Sequence, residues 1–295
     1  KVYISAIDYD GNVYVYDYKG SLLPQFSNVR IEGHVSASHT VGNIDDNESP
    51  EIIAGTVEGN LFAIDFNGKI LSGFPVNLEK GIYVAPLVVK FSGGQKPEIV
   101  VSIRSFKGEI FVIDSNGKKI ENYTQNAGFL VDSPMISEDI NNDGNIEVIV
   151  FAQNGNVIAF NKNGMLQGFP VQLNGRIRNG GVIFEENGHK SICALITDGT
   201  ISFISVEGKN TKNIPPLGEP SKLTLLTVHR IKEDKILIFG GEDKRIRFAK
   251  SDGNLLNYDM KGSEGVDILD MDNDGYIEVL SVGFDRAIYL YRILR

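Results

Sequence analysis

The chain has no tryptophan, one cysteine and four histidines among 295 residues. Cys193 cannot form an intrachain disulfide. Its place in the apolar run SICALI reads as a small buried hydrophobe, because a reactive thiol needs an exposed, electropositive setting. No apolar run approaches the roughly 20 residues that a membrane-spanning helix requires, so no membrane span is expected in this chain. No ten-residue window carries a helical stripe, so almost no helix is expected. The GxSxG elbow, the phosphate-binding loop, HExxH and a CxxC pair are all missing, which argues against the common catalytic plans. His34, His39, His189 and His229 fall in different repeats or in turns and read as structural or solvent-facing. A formal net charge of −9 lacks the basic footprint of nucleic-acid binding. The sequence opens at Lys1 without a leader-like stretch, as expected after prior removal of one. Either a processed mature protein or a piece of a longer one is expected.

What the sequence does contain is a repeat. EIIAGTVEGNLFAIDFNGKILSGFPV, from Glu51, aligns with EVIVFAQNGNVIAFNKNGMLQGFPV, from Glu147. Both read as apolar run, Gly turn, alternating run, Asn-Gly turn and Gly-Phe-Pro. The skeleton recurs seven times, with turn markers Gly11, Gly59, Gly108, Gly155, Gly199, Asp243 and Arg286, spaced 48, 49, 47, 44, 44 and 43 residues apart. A period in the forties with several short strands per unit matches a β-propeller blade. Alternation, β-branching and aromatic content make each full unit four strands, A to D. The expected fold is therefore all-β, a seven-bladed β-propeller of four-stranded blades. The first repeat lacks strand A and the last lacks strand D. One domain spans 1–295, with repeats at about 1–30, 31–78, 79–127, 128–173, 174–217, 218–260 and 261–295. Closure by an eighth blade or by an outside strand stays open.

Three A–B connections are rich in oxygen. In DMDNDGYIE, Asp270, Asp272, Asp274 and Glu278 occupy positions 1, 3, 5 and 9, with Gly275 at 6 and the Tyr276 carbonyl at 7. DINNDGNIE places Asp139, Asn141, Asp143, Asn145 and Glu147 at positions 1, 3, 5, 7 and 9. NIDDNESPE places Asn43, Asp45, Asn47, Ser49 and Glu51 there, with Glu48 in place of the glycine. Alternate residues of a tight loop can aim oxygens at one point, and calcium takes six to eight of them. Two carboxylates about 4 Å apart repel by roughly 4 kcal/mol at an effective dielectric near 20, so a bound cation is the simplest remedy. Up to three calcium ions are expected, with affinity falling from the last loop to the middle to the first as ligand charge falls. Polar hairpin turns without metal are the competing reading. EF-hands are excluded, since their glutamate stands at position 12 between helices. In the third repeat Lys90, Ser92 and Gly94 replace the ligands. The fifth and sixth have short, ligand-poor turns around His189 and His229.

These segments, GNIDDNESPEIIAG, DINNDGNIEVIV and DMDNDGYIEVL, resemble FG-GAP/VCBS-type repeats, the calcium-bearing blades of the integrin α-subunit propeller. The specific motif covers three units. The resemblance implies calcium in A–B loops and an extracellular, cell-surface or periplasmic setting. Together with the missing catalytic motifs, it favours a non-catalytic interaction or adhesion module with a protein or glycan partner. The alternative is a carbohydrate-active propeller, either a polysaccharide lyase-like enzyme or a lectin, with its site at the channel mouth. The absence of tryptophan counts against sugar stacking. Glu32, His34, Tyr83, Asp132, Arg178, Lys222 and Glu264 align near that mouth as candidate ligand-binding residues.

Overall fold

The computed structural model describes residues 2–45, 47, 49–91, 96–222, 224–231, 234–270, 274–283, 285 and 287–293, without the Asn122 side chain. Among them, regular structure is strand throughout, apart from 3-10 turns at Pro24–Phe26 and Glu121–Tyr123. The strands form antiparallel sheets in chain order, one per predicted repeat. The first holds β1 (Tyr3–Ile7) and β2 (Val13–Asp17). The second holds β3 (Thr40–Gly42), β4 (Glu51–Gly55), β5 (Asn60–Ile64) and β6 (Val76–Asn77). The third holds β7 (Leu87–Val89), β8 (Glu98–Ser102), β9 (Glu109–Ile113) and β10 (Gln125–Asn126). The fourth holds β11 (Ile136–Glu138), β12 (Glu147–Phe151), β13 (Asn156–Asn161), β14 (Gly164–Met165) and β15 (Val171–Gln172). The fifth holds β16 (Ile177–Glu186), β17 (His189–Ile196), β18 (Ile201–Ser205) and β19 (Asn210–Ile214). The sixth holds β20 (Thr227–Ile231), β21 (Asp234–Gly240) and β22 (Ile246–Lys250), and the seventh β23 (Val266–Leu269), β24 (Ile277–Val282) and β25 (Ile288–Ile293).

Residues 1–139, 143–150 and 159–165 make one compact unit, and 140–142, 151–158 and 166–295 make a second. In the first unit, successive side chains of a strand point to opposite faces, and both faces of the second sheet are covered. Ile52, Ala54, Phe62 and Ile64 pack on Val13 and Val15 of the first sheet. The intervening Ile53, Leu61 and Ala63 pack on Ile99, Val101, Phe111 and Ile113 of the third. That is why EIIAG reads as an unbroken apolar run rather than an alternating one. Each fully buried Ile, Leu or Phe contributes about 1.5–3 kcal/mol. The second unit repeats the plan: Leu237 and Phe239 meet Cys193, Leu195, Ile201 and Phe203, and Ile236 and Ile238 meet Phe248 and Val279. Cys193 is fully buried there, as its sequence setting implies.

In the second, third and fourth repeats the last strand is shorter than expected. KILSGFPV does not form one strand. It makes an isolated bridge from Ile64 to Ile70 and then the two-residue β6. Bridges at Tyr16–Leu22, Ile113–Lys119 and Ala249–Leu255 follow the same plan. The interruption is the Gly-Phe-Pro turn, whose Phe74–Pro75 and Phe169–Pro170 bonds are cis. Gly73, at φ +91°, is required there: a Cβ would lie 1.9 Å from the Asn116 carbonyl oxygen. His229 also departs from expectation. It lies inside β20 rather than in a turn, and burial lowers its pKa.

Candidate metal loops and the neighbouring turn face

The middle and last acidic loops share one hydrogen-bond pattern. Position 1 accepts from the backbone N–H groups of positions 5 and 6: Asp139 from Asp143 at 3.1 Å and Gly144 at 2.9 Å, and Asp270 from Asp274 at 3.1 Å and Gly275 at 2.9 Å. Position 5 accepts from position 7, Asp143 from Asn145 at 2.7 Å and Asp274 from Tyr276 at 2.8 Å. The position-6 glycines adopt φ of +82° and +84°, the bend for which the sequence pattern reserves them. Asp272 lies outside the described residues, as do Ser92 and Gly94. Among the described residues, no three carboxylate, imidazole or thiol side chains gather closely enough to hold an ion. The loops are thus curled by their own amides.

The first loop, lacking the glycine, curls differently. Asp45 accepts from Asn47 N at 3.1 Å, Asn47 Oδ1 accepts from Ser49 N at 2.6 Å, and the Asn43 amide donates to the Asn47 carbonyl. Glu51 is fully buried. Its Oε2 accepts from Ile44 N at 2.8 Å, while its Oε1 has no hydrogen-bond partner among the described residues. Burial, then the nearby Asp45 charge, pushes its pKa above the usual carboxylate range, opposed by the Ile44 N–H. A buried, unmatched carboxylate oxygen in a loop with Asp45, Asn43 and Asn47 is the donor chemistry that fits calcium. Lys96 reaches this loop, but its Nζ sits 3.4 Å from the Asp45 backbone carbonyl rather than on Glu51.

Position 9 has a second task that the sequence reading missed. Glu98 starts β8 in the third repeat, and its Oε2 accepts from Phe91 N at 3.4 Å. That matches the Glu51 bond to Ile44, in a repeat without the other ligands. Position-9 glutamates therefore fasten the hairpin whether or not a cation is near. Fourteen residues on, two donors also escaped notice: Asn161 Nδ2 donates to Glu147 Oε1 at 2.8 Å, and Arg292 Nε donates to Glu278 Oε1 at 2.9 Å. Counting residues across a tight hairpin would have found both.

The proposed mouth residues fall in both units and take separate partners. In the first unit, His34 Nδ1 lies 2.7 Å from Glu58 Oε1, and His34 N donates to Glu58 Oε2 at 2.9 Å. These two contacts hold the Glu58 carboxyl down at about 2. The Tyr9 ring lies 4.9 Å from the His34 ring, and Arg104 stacks 4.7 Å from the Tyr83 ring centre. Phe106, 79% exposed, meets Phe129 edge to face. Glu32 and Asp132 are exposed. In the second unit, Lys222 is exposed and Arg178 and Glu264 are half-buried. Glu58 and Arg104 are functional candidates that alignment of apolar runs could not flag, because they sit in turns.

No family model and no curated protein matches this chain. Solved structures do resemble it. BBS1N, crystallised in complex with ARL6DN, is 11% identical over 99% of this chain and 87% of that one, with a TM-score of 0.67. The computationally designed Ika8 protein is 16% identical over 98% and 80% of the two chains, at 0.66. BamB from Moraxella catarrhalis is 14% identical over 98% and 91%, at 0.56. At these identities the likeness is one of fold, and the fold it supports is all-β and propeller-like.

Proposed function

We propose that this protein is a calcium-braced β-propeller of the FG-GAP/VCBS type. In this reading its seven sheets are blades, and it serves as a non-catalytic interaction module outside the cytoplasm. The observation that carries the calcium part is the buried Glu51 Oε1 without a partner. Asn43, Asp45, Asn47 and Glu51 would hold one ion, and Asp139, Asn141, Asp143 and Glu147 another. Bound calcium supplies the positive charge that lets these carboxylates converge. The chain's own residues keep the hairpin in register through the bonds of Glu51, Asp139 and Asp143.

A protein partner is supported by BBS1N, a structural neighbour crystallised with ARL6DN. The exposed Tyr9, Tyr83 and Phe106, with Arg104 stacked on Tyr83, supply the aromatic and Arg content typical of contact surfaces. The carbohydrate-active alternative draws on His34: with Nδ1 held by Glu58, its Nε2 is the nitrogen left to face a ligand. Thermal unfolding in calcium and in EGTA tests the main reading, with a lower Tm expected under chelation. Superimposable curves would refute it. A polysaccharide digest released by the wild type and abolished by His34→Ala would instead select the alternative.

A further inference from the structure

The acidic loops differ in the residue that faces the position-9 glutamate from the next strand. Ile52 pairs with Ile64, so Glu51 faces Asp65. Asp65 is a carboxylate whose Oδ1 is already taken by Asn67 N and Lys69 N. In the fourth repeat the partner is Asn161, which donates one neutral hydrogen bond. In the last, Glu278 pairs with Arg292. That guanidinium is held on three sides: Nε lies 2.9 Å from Glu278 Oε1, Nη1 lies 3.0 Å from Asp274 Oδ2, and its centre sits 5.6 Å from the Tyr276 ring. Positions 5, 7 and 9 of the last loop thus all converge on Arg292. Two of the expected ligands to calcium in that loop, Asp274 and Glu278, are bound by the protein's own cation.

We propose that Arg292 takes the part of the cation in the last loop, so that this loop closes without calcium while the first loop depends on it. This rests on the calcium reading above and reverses the order that ligand charge alone implies. A tethered guanidinium sheds only part of its water, does so during folding, and loses no translational freedom on pairing, and a calcium ion could enter only by displacing it against like-charge repulsion.

Terbium, a calcium stand-in whose luminescence is excited through a nearby tyrosine, reads the last loop through Tyr276. The expected result is that wild type and Tyr276→Phe give the same terbium luminescence. Arg292→Gln should gain a signal that Arg292→Gln/Tyr276→Phe loses, with terbium affinity at that loop rising at least about tenfold. Calorimetry with calcium should show one more site in Arg292→Gln than in wild type. A Tyr276-dependent signal already saturating in wild type at the concentration that fills the first loop would overturn the proposal, as would a folded Arg292→Gln that gains nothing. The wild-type comparison decides the matter even if Arg292→Gln does not fold. Failure of every loop to bind terbium or calcium in either protein would remove the calcium reading itself, a separate outcome.

Discussion

Replacing Glu51 by Gln should stabilise the protein without calcium and weaken its response to calcium. Glu51 is fully buried, with one oxygen on the Ile44 N–H and the other unpartnered. Leaving such an oxygen unmatched costs about 1–3 kcal/mol, and the neighbouring carboxylates of Asp45 and Asp65 add repulsion. Glutamine keeps an acceptor for Ile44, removes the charge and turns a donor toward those carboxylates. The variant should therefore gain about 1–3 kcal/mol in EGTA. In calcium the balance shifts. A site with Kd in the range of about 10⁻⁴–10⁻³ M, exposed to about 10 mM calcium, contributes about 1.4–2.7 kcal/mol to the wild type. The neutral amide would forfeit most of that. Urea unfolding followed by circular dichroism, in EGTA and in calcium, measures both terms. The rank order in EGTA should shrink or invert in calcium. An equal loss in both buffers would mean that Glu51 serves packing alone. An equal gain in both would mean that no ion binds beside it.

Two further outcomes follow from the geometry. Gly73→Ala should cost about 2–4 kcal/mol, because its Cβ would meet the Asn116 oxygen, while Gly20→Ala, at φ +80° with open space, should cost only about 1 kcal/mol; equal midpoints in urea would deny the close approach. Glu58 is held at about 2, below its ordinary 4.5. A depressed carboxyl contributes stability above the ordinary value and loses it as pH falls toward the lower one. Acid unfolding of Glu58→Gln should therefore converge with wild type below about pH 2, and a carbon-13 titration placing the Glu58 midpoint at 4 or above would break the His34 pairing.

The strands were legible because both faces of each inner strand are apolar and the turns between them carry Gly or Asn at fixed spacing. Runs such as EIIAG and NLFAI could hardly be anything else. The fourth strands were not, because their side chains are half-exposed and the Gly-Phe-Pro turn interrupts pairing after a single bridge at Ile64–Ile70. Among the loops, ligand identity was readable from the motif, whereas the counter-charge needed a count across the hairpin. A motif scan weighs Asp274 and Glu278 by their own chemistry. Arg292 enters only when β24 and β25 pair, and no local pattern announces that it will lie over Tyr276. His34 and Glu58 were separated for the same reason, being 24 residues apart and joined by a turn.

The position-9 glutamate shows why a cation requirement can vary from loop to loop within one fold. Glu98 makes its bond to the Phe91 N–H in a repeat whose other ligand positions are not acidic. That contact therefore belongs to hairpin closure and not to metal. Once a carboxylate is committed to that buried place, its charge must be met by something. In the third repeat burial raises the Glu98 pKa, and the Phe91 N–H opposes it first, with the Lys90 charge the smallest contribution. In the fourth an amide from Asn161 donates to Glu147, in the last Arg292 pairs with Glu278, and at Glu51 and Glu98 the facing residues are the acids Asp65 and Asp114. In the proposed calcium reading, a bound ion is then one of several solutions to a single electrostatic problem. In that reading its sites are to be sought where an acidic strand partner and the Asp and Asn oxygens of the loop coincide, as at Glu51; Glu98 also faces an acid, Asp114, but in a repeat without those ligands.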